Sequence, residues 1–262
     1  MHYAQYRFAS PQPPAPSPRF HMPVYRLTEE LLFPDQRWAT PEGLLAVGGD
    51  LSPERLLLAY RNGIFPWYSP GEPILWWSPD PRLVLYPDEL RISTSLRKVI
   101  KRKRFQITYD KAFDAVIQAC AEAKRAYGEG TWITDEMKAA YCALHGQGHA
   151  HSVEAWQGER LVGGLYGISI GRVFFGESMF SQVSNASKVA FVTLVDNLKR
   201  LRFKLIDCQV RTDHLIRFGA REIPRKTFLE QLEKAVGNSR PDVDVSSDSG
   251  SIDPRRSPPT HD

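Results

Sequence analysis

The chain has 262 residues, 42% of them apolar and 24% charged, with a formal net charge of +4. That is enough for one large domain, or a large and a small one, with the composition of an ordinary globular protein. No run of about 18 uncharged apolar residues occurs, so no membrane-spanning helix is expected. Cys120, Cys142 and Cys208 show neither metal-ligand spacing nor an even count, which fits a reducing cytoplasm rather than a disulfide frame.

Residues 1–22 include PQPPAPSPRF, carry no apolar signal core and lack periodicity. They read as a disordered lead of a protein that is not secreted, and residues 239–262 read as a disordered tail. Residues 23–85 form an aromatic-rich section, expected to be a small N-terminal domain. Within it Ser52-Pro53 starts a helix that buries Leu56, Leu57, Leu58 and Tyr60 and ends at Asn62-Gly63. Proline breaks the following FPWYSPG and ILWWSPDPR. Their rings are either small-domain core or a platform on which a flat ligand stacks.

Residues 86–238 should form the larger domain. Arg97, Lys98, Lys101, Arg102, Lys103 and Arg104 crowd one short helix with no acidic residue between them, which favours a polyanionic partner such as RNA over a merely solvated face. A strand then runs from Phe105 to Tyr109, and Asp110 is expected to cap the next helix, with Phe113, Val116, Ile117 and Cys120 on its buried face. Trp132 lies in a glycine-hinged loop. Thr134 caps a helix that turns Met137, Tyr141 and Leu144 inward. His149, His151 and Glu154 resemble a metal-ligand set only superficially, because the spacing matches no zinc pattern; no metal or cofactor is expected.

From Gly163 to Gln209 the pattern reads strand, turn, strand, helix, strand, with Gly171-Arg172 as the tight turn. Glu177 falls at the end of a buried strand, where an ionised carboxylate needs a cationic partner. After Asn185-Ala186-Ser187-Lys188 a helix carries Val189, Val192, Leu194, Val195 and Leu198 at helical spacing. On the next strand Asp207 and Gln209 are two apart and share a face, while Cys208 points away and is a poor candidate nucleophile. Each polar residue alone fits a satisfied buried network; three on adjacent elements favour a site. Thr227-Phe228-Leu229-Glu230 reads as a capping box for a last helix.

In order, GLLAVGGDLSPERLLLAYRNGIFPWYSPGEPILWWSPDPR, EGTWIT, GHAHSVEAW, LVGGLYG, GESMFS, NASK, LIDCQV and GAREIPR resemble the bacterial leucyl/phenylalanyl-tRNA–protein transferases over about residues 33–230. The resemblance implies an α/β (α+β) fold, with a small N-terminal domain beside a GNAT-type N-acetyltransferase-like domain built on a mixed central sheet. It also implies transfer of Leu or Phe from Leu-tRNA or Phe-tRNA to the N-terminal Arg or Lys of an acceptor protein, marking it for degradation. Carried over by motif, Glu177 corresponds to the contact for the amino group of the aminoacyl moiety. Asp207 and Gln209 correspond to the pair that activates the acceptor amine, with positioning at least as good a description as proton relay. Trp67 and Trp132 match aromatics that hold the terminal adenosine, and Arg97 to Arg104 match a tRNA-stem contact. The aminoacyl side-chain pocket is expected from Leu165, Phe174, Met179, Phe191, Leu194, Leu198 and Ile206. Leu165 and Leu194 stand where well-known members carry Met and Phe, which leaves the rank order of Leu, Phe and Met donors open. A monomer is expected. An acyl-CoA-dependent acetyltransferase is the weaker reading, since residues 180–187 offer no glycine for a pyrophosphate cradle.

Overall fold

The computed structural model describes residues 24–123, 133–237 and Val245. The expected disordered lead, most of the expected tail and Trp132 lie outside the described residues. Short strands separated by Pro- and Gly-containing turns build the N-terminal part. Tyr25–Leu27 (β1), Leu44–Gly48 (β2), Phe65–Pro66 (β3) and Leu75–Trp77 (β4) form a four-stranded sheet in the order β1-β2-β4-β3. Helix α1, Pro53–Arg61, starts as expected: Ser52 accepts a hydrogen bond from the Arg55 backbone N–H, and Pro53 occupies the first turn. Trp76 is fully buried and donates its Nε1–H to the Gly48 carbonyl at 2.8 Å, so this ring is core and not a platform.

The larger part is a seven-stranded sheet with helices on both faces. In chain order it comprises Arg82–Leu85 (β5), helix α2 at Thr94–Lys101, Gln106–Tyr109 (β6), helices α3 at Phe113–Glu122 and α4 at Asp135–Gly146, Ala150–Gln157 (β7), Arg160–Ile170 (β8) and Val173–Ser181 (β9). Then come α5 at Ala186–Arg200, Leu205–Gln209 (β10), α6 at Asp213–Arg217, Arg221–Ile223 (β11) and α7 at Arg225–Val236. The strand order is β11-β5-β10-β9-β8-β7-β6, with β10 parallel to β9 and the other pairs antiparallel. A parallel pair needs a crossover, and α5 supplies it, its apolar stripe covering β7, β8 and β9. Successive strand side chains go to opposite faces. Phe175 therefore packs with α3, α4 and α7, and Phe174 packs with α2, α5 and α6.

Two expected caps are made differently. Asp110 takes φ +53° and turns its carboxylate to the Ser152 backbone N–H at 2.7 Å and to His151 at 2.8 Å, leaving α3 without a side-chain cap. The last helix begins at Arg225, two residues before Thr227, and its Arg225 N–H is met by Asp80 from a remote loop at 2.9 Å. In both places a distant partner outcompetes the local motif.

The ladder between β8 and β9 shifts register between Tyr166 and Gly167, which face Ser178 and Gly176 and leave Glu177 as the extra residue of a bulge. Gly167 makes this possible, because a Cβ there would lie 2.2 Å from the Phe175 carbonyl oxygen and 2.6 Å from the Phe174 ring. Gly167→Ala is accordingly expected to destabilise the fold by about 1–3 kcal/mol as an overpacked site, read as a Tm lowered by roughly 2–12 °C. An unchanged Tm would show that the bulge tolerates a side chain.

Candidate active site

Beyond the bulge, β9 leaves its parallel neighbour. The two strands pair at Leu205 with Val173, Ile206 with Phe174 and Asp207 with Phe175, and β9 then continues to Ser181 without β10 beside it. Val173 to Phe175 are buried, whereas Glu177, Ser178 and Met179 are only half-buried, so the strands part into an opening with Glu177 at its edge.

Glu177 is met by donors from two other elements. Tyr141 of α4 donates its hydroxyl to Oε2 at 2.9 Å, and Gln209 of β10 donates its Nε2–H to Oε1 at 2.8 Å. Behind Tyr141, the Tyr60 hydroxyl of α1 lies 2.5 Å from the Tyr141 hydroxyl. Both hydroxyls bear on the Glu177 carboxylate, and either can donate within the pair. Burial pushes the Glu177 carboxyl up to about 7, with the hydroxyls of Tyr60 and Tyr141 and the Gln209 amide pulling it down and the charge of Asp207 adding to the rise. The Tyr60 and Tyr141 hydroxyls are themselves raised well above the usual tyrosine value, first by burial and then by the Glu177 charge, so both stay protonated donors.

Asp207 is fully buried and held side-on by Arg82 of β5, with Nε to Oδ1 at 2.8 Å and the second nitrogen to Oδ2 at 2.7 Å. The Arg82 guanidinium lies between the rings of Phe65 and Phe228, at 4.8 and 4.7 Å from their centroids. Removing one partner of such a pair costs about 3–5 kcal/mol, because the other charge is left buried alone. Asp207 Oδ1 also accepts the backbone N–H of Gln209 at 2.9 Å. Gln209 takes φ +63°, a conformation that costs a non-glycine residue roughly 1–2 kcal/mol. The β10–β5 register shifts between Asp207 and Gln209, so simple alternation does not describe the pair. The Asp207 carboxylate fixes the Gln209 main chain and the Gln209 amide reaches Glu177, which brings the three expected polar residues into one network. Gln209 Oε1 has no hydrogen-bond partner among the described residues. Cys208 faces the other side, and burial pushes its thiol well up, which does not suit a nucleophile.

Leu165, Phe174, Phe191, Leu194, Leu198 and Ile206 are buried in one apolar cluster on the α5 face, and Met179 packs against that cluster while half-buried at the opening. Trp67, directly after β3, is half-buried; its N–H donates to the Leu75 carbonyl at 2.9 Å, and its carbonyl accepts from Trp77 Nε1 at 2.7 Å. Arg97, Lys98, Lys101, Arg102, Lys103 and Arg104 are all exposed on α2 and the turn after it, while Leu96 anchors the helix in the core. His151 pairs with Asp110, whereas buried Glu154 accepts from Thr108 and Ser152, both at 2.5 Å. Ser152 links the two pairs, giving its backbone N–H to Asp110 and its hydroxyl to Glu154, and no metal-binding cluster is found among the described residues.

Tyr60, Tyr141 and Arg82 were not singled out from the sequence as site residues. The available signal was weak: two tyrosines on buried helix faces, and an arginine opening the otherwise apolar strand RLVL.

Fold and site together define a mixed α/β protein in which a small N-terminal sheet and its helix complete a polar cluster at a parted pair of strands. The family model described as leucyl/phenylalanyl-tRNA protein transferase matches residues 84–233, and the model of that family's N-terminal domain matches residues 49–80. The chain is 60% identical over 215 residues to a leucyl/phenylalanyl-tRNA–protein transferase of Syntrophus aciditrophicus (strain SB), covering 82% of this chain and 90% of that one. Proteins of the same name from Syntrophobacter fumaroxidans (strain DSM 10017 / MPOB) and Anaeromyxobacter sp. (strain Fw109-5) are 61% and 60% identical over 215 residues, 82% of this chain and 92% of each relative. This chain belongs to the leucyl/phenylalanyl-tRNA protein transferase family.

The raised Glu177 value fixes a sign. Between the ordinary carboxyl value of 4.5 and about 7 the folded chain holds a proton there that the unfolded chain has lost. The residue's relative stabilisation of the fold is therefore full at acid pH, is lost as pH rises through that window, and is gone above it. Glu177→Gln should raise Tm relative to the parent at alkaline pH, with the difference vanishing in acid. An equal Tm at all pH values would show that Glu177 is not strained by burial.

Proposed function

We propose that this chain transfers Leu or Phe from aminoacyl-tRNA to the α-amine of an N-terminal Arg or Lys on an acceptor protein. The product carries a new N-terminal residue that marks it for degradation. The observation that carries the reading is the convergence of Glu177 and Gln209 at the opening between β9 and β10. Glu177 holds the donor's ammonium group, and the donor side chain enters the apolar cluster past Met179. In that cluster each methylene is worth about 1–3 kcal/mol of discrimination, so Leu and Phe are favoured over smaller residues. Trp67 and Trp132 hold the terminal adenosine.

An aminoacyl ester is already activated, so the protein has mainly to align the attack. The acceptor amine donates an N–H to Gln209 Oε1, which aligns it, and attacks the ester carbonyl with its lone pair. The new C–N bond forms, the C–O bond to the tRNA ribose breaks, and a proton moves from the nitrogen to the leaving ribose oxygen. No metal or cofactor takes part. The mixed sheet with helices on both faces supports the acetyltransferase-like reading of the larger domain, and three free cysteines support a cytoplasmic setting. We take the working unit to be a monomer. The exposed basic run on α2 supports a backbone contact with the tRNA stem, which supplies affinity and position with little sequence preference.

Incubation of the parent chain with an Arg-starting peptide and either radiolabelled Leu-tRNA or labelled acetyl-CoA tests the reaction. Label is expected from Leu-tRNA; label arriving only from acetyl-CoA would overturn the reading. The preference for Leu-tRNA over uncharged tRNA should be worth on the order of 10-fold or more, as for one charge-assisted hydrogen bond. It should weaken as pH falls below about 7 and disappear in Glu177→Gln. A preference unaffected by either change would remove the ammonium contact. Charge reversal at Lys101 and Arg102 should weaken tRNA binding and flatten its logarithmic salt dependence by about one per residue changed. An unchanged slope would remove α2 from the tRNA contact.

A further inference from the structure

The ion pair beneath Gln209 does more than fill the core. Arg82 meets both oxygens of Asp207 while its guanidinium is clasped between Phe65 of β3 and Phe228 of α7, rings brought from elements far apart in the chain. This leaves the Asp207 carboxylate one orientation, in which Oδ1 also accepts the Gln209 backbone N–H. That bond lies at the register shift and at the left-handed φ of Gln209, the two features that turn the amide toward Glu177. Neither Asp207 oxygen bonds the Gln209 side chain; the Gln209 Nε2–H is given to Glu177.

We propose that Arg82 is a positioning residue for the transfer step, acting through Asp207 on the main chain of Gln209 and so setting where its amide sits between Glu177 and the incoming amine. Resting on the transferase reading, this makes Asp207 a pin for the backbone, its charge matched by Arg82, and not a group that polarises the Gln209 amide. Lysine at position 82 keeps the charge but cannot reproduce the two parallel hydrogen bonds. Methionine keeps much of the bulk and leaves Asp207 without a cation. Adding Asp207→Asn to Arg82→Met removes that lone charge and still leaves an amide oxygen to accept the Gln209 N–H.

The parent, Arg82→Lys, Arg82→Met and Arg82→Met/Asp207→Asn are assayed with Leu-tRNA and an Arg-starting peptide, with the folded fraction of each measured by thermal unfolding. Titration of the Glu177 carboxyl is followed by NMR in the same proteins. Per folded molecule, Arg82→Lys and Arg82→Met should lose about 10- to 100-fold in kcat, the scale of an ångström-level misplacement. In Arg82→Lys, which keeps the cation, the Glu177 midpoint should move above its parental value of about 7, because the Gln209 amide that lowers it has shifted; in Arg82→Met the uncovered Asp207 charge raises it as well. The double variant should recover about 10-fold over Arg82→Met, or one factor of ten in the equilibrium for the placed amide. Parental kcat in the folded single variants, or a parental midpoint in folded Arg82→Lys, would overturn the proposal, as would losses that merely follow the unfolded fraction. A double variant no better than Arg82→Met would overturn the route through Asp207. A parent that moves no Leu would sink the transferase reading instead, and the Glu177 midpoint of the charge-keeping Arg82→Lys would then still decide whether Arg82 sets the Gln209 amide.

Discussion

A carboxylate at the edge of an apolar strand must be met by donors, and the donors of Glu177 come from separate parts of the chain. Tyr141 stands on α4, Gln209 on β10, and Tyr60 on α1 backs Tyr141. Because α1 belongs to the N-terminal part, hydrogen bonds that tune one acid also tie the small sheet's helix to the large sheet. Burial alone would drive the acid further toward its neutral form. The converging hydroxyls and amide counter this and leave it near neutrality, able to hold a cation at ordinary pH.

The strands deliver polar and apolar groups to opposite faces with little wasted chain. Along β10, Leu205 and Asp207 face the side where α3, α4 and α7 pack, while Ile206 and Cys208 join the α5 cluster. On β9 the bulge at Glu177 lets the acid turn toward Tyr141 while Met179, two residues on, packs with the α5 cluster. The proposed side-chain pocket and the groups that handle amines are thus one or two residues apart, with the parted strands as the route between them.

Much of this was legible in the sequence because it depends on neighbours a few residues away. The β8–β9 hairpin at Gly171, the apolar stripe of α5 and the intrusion of Glu177, Asp207 and Gln209 into apolar strands all follow from periods of two or 3.6. What stayed hidden depends on partners far along the chain. Tyr141 is 36 residues from Glu177, Arg82 is 125 from Asp207, and Asp80 is 145 from the Arg225 it caps. Period counting put Asp207 and Gln209 on one face; the actual meeting needs a register shift and a left-handed residue, which no local pattern announces. Asp110 shows the same limit, since its local capping role lost to Ser152 and His151 across the sheet.

The proposed chemistry involves two amines with opposite needs, and the two acceptors differ accordingly. A carboxylate in a poorly solvated place favours the protonated form of a nearby amine. For the donor amine this helps, because an ammonium group binds Glu177 tightly and draws electron density from the adjacent ester carbonyl. For the acceptor amine it would be harmful, because a protonated nitrogen has no lone pair with which to attack. A neutral amide oxygen can align that nitrogen without fixing a proton on it, which is a reason to find Gln209 rather than a second acid at the opening. The buried charge beside it would still raise the amine's basicity if it stood alone. Arg82 matches that charge, so Asp207 can hold the main chain of Gln209 in place while adding little net field where the acceptor must lose its proton.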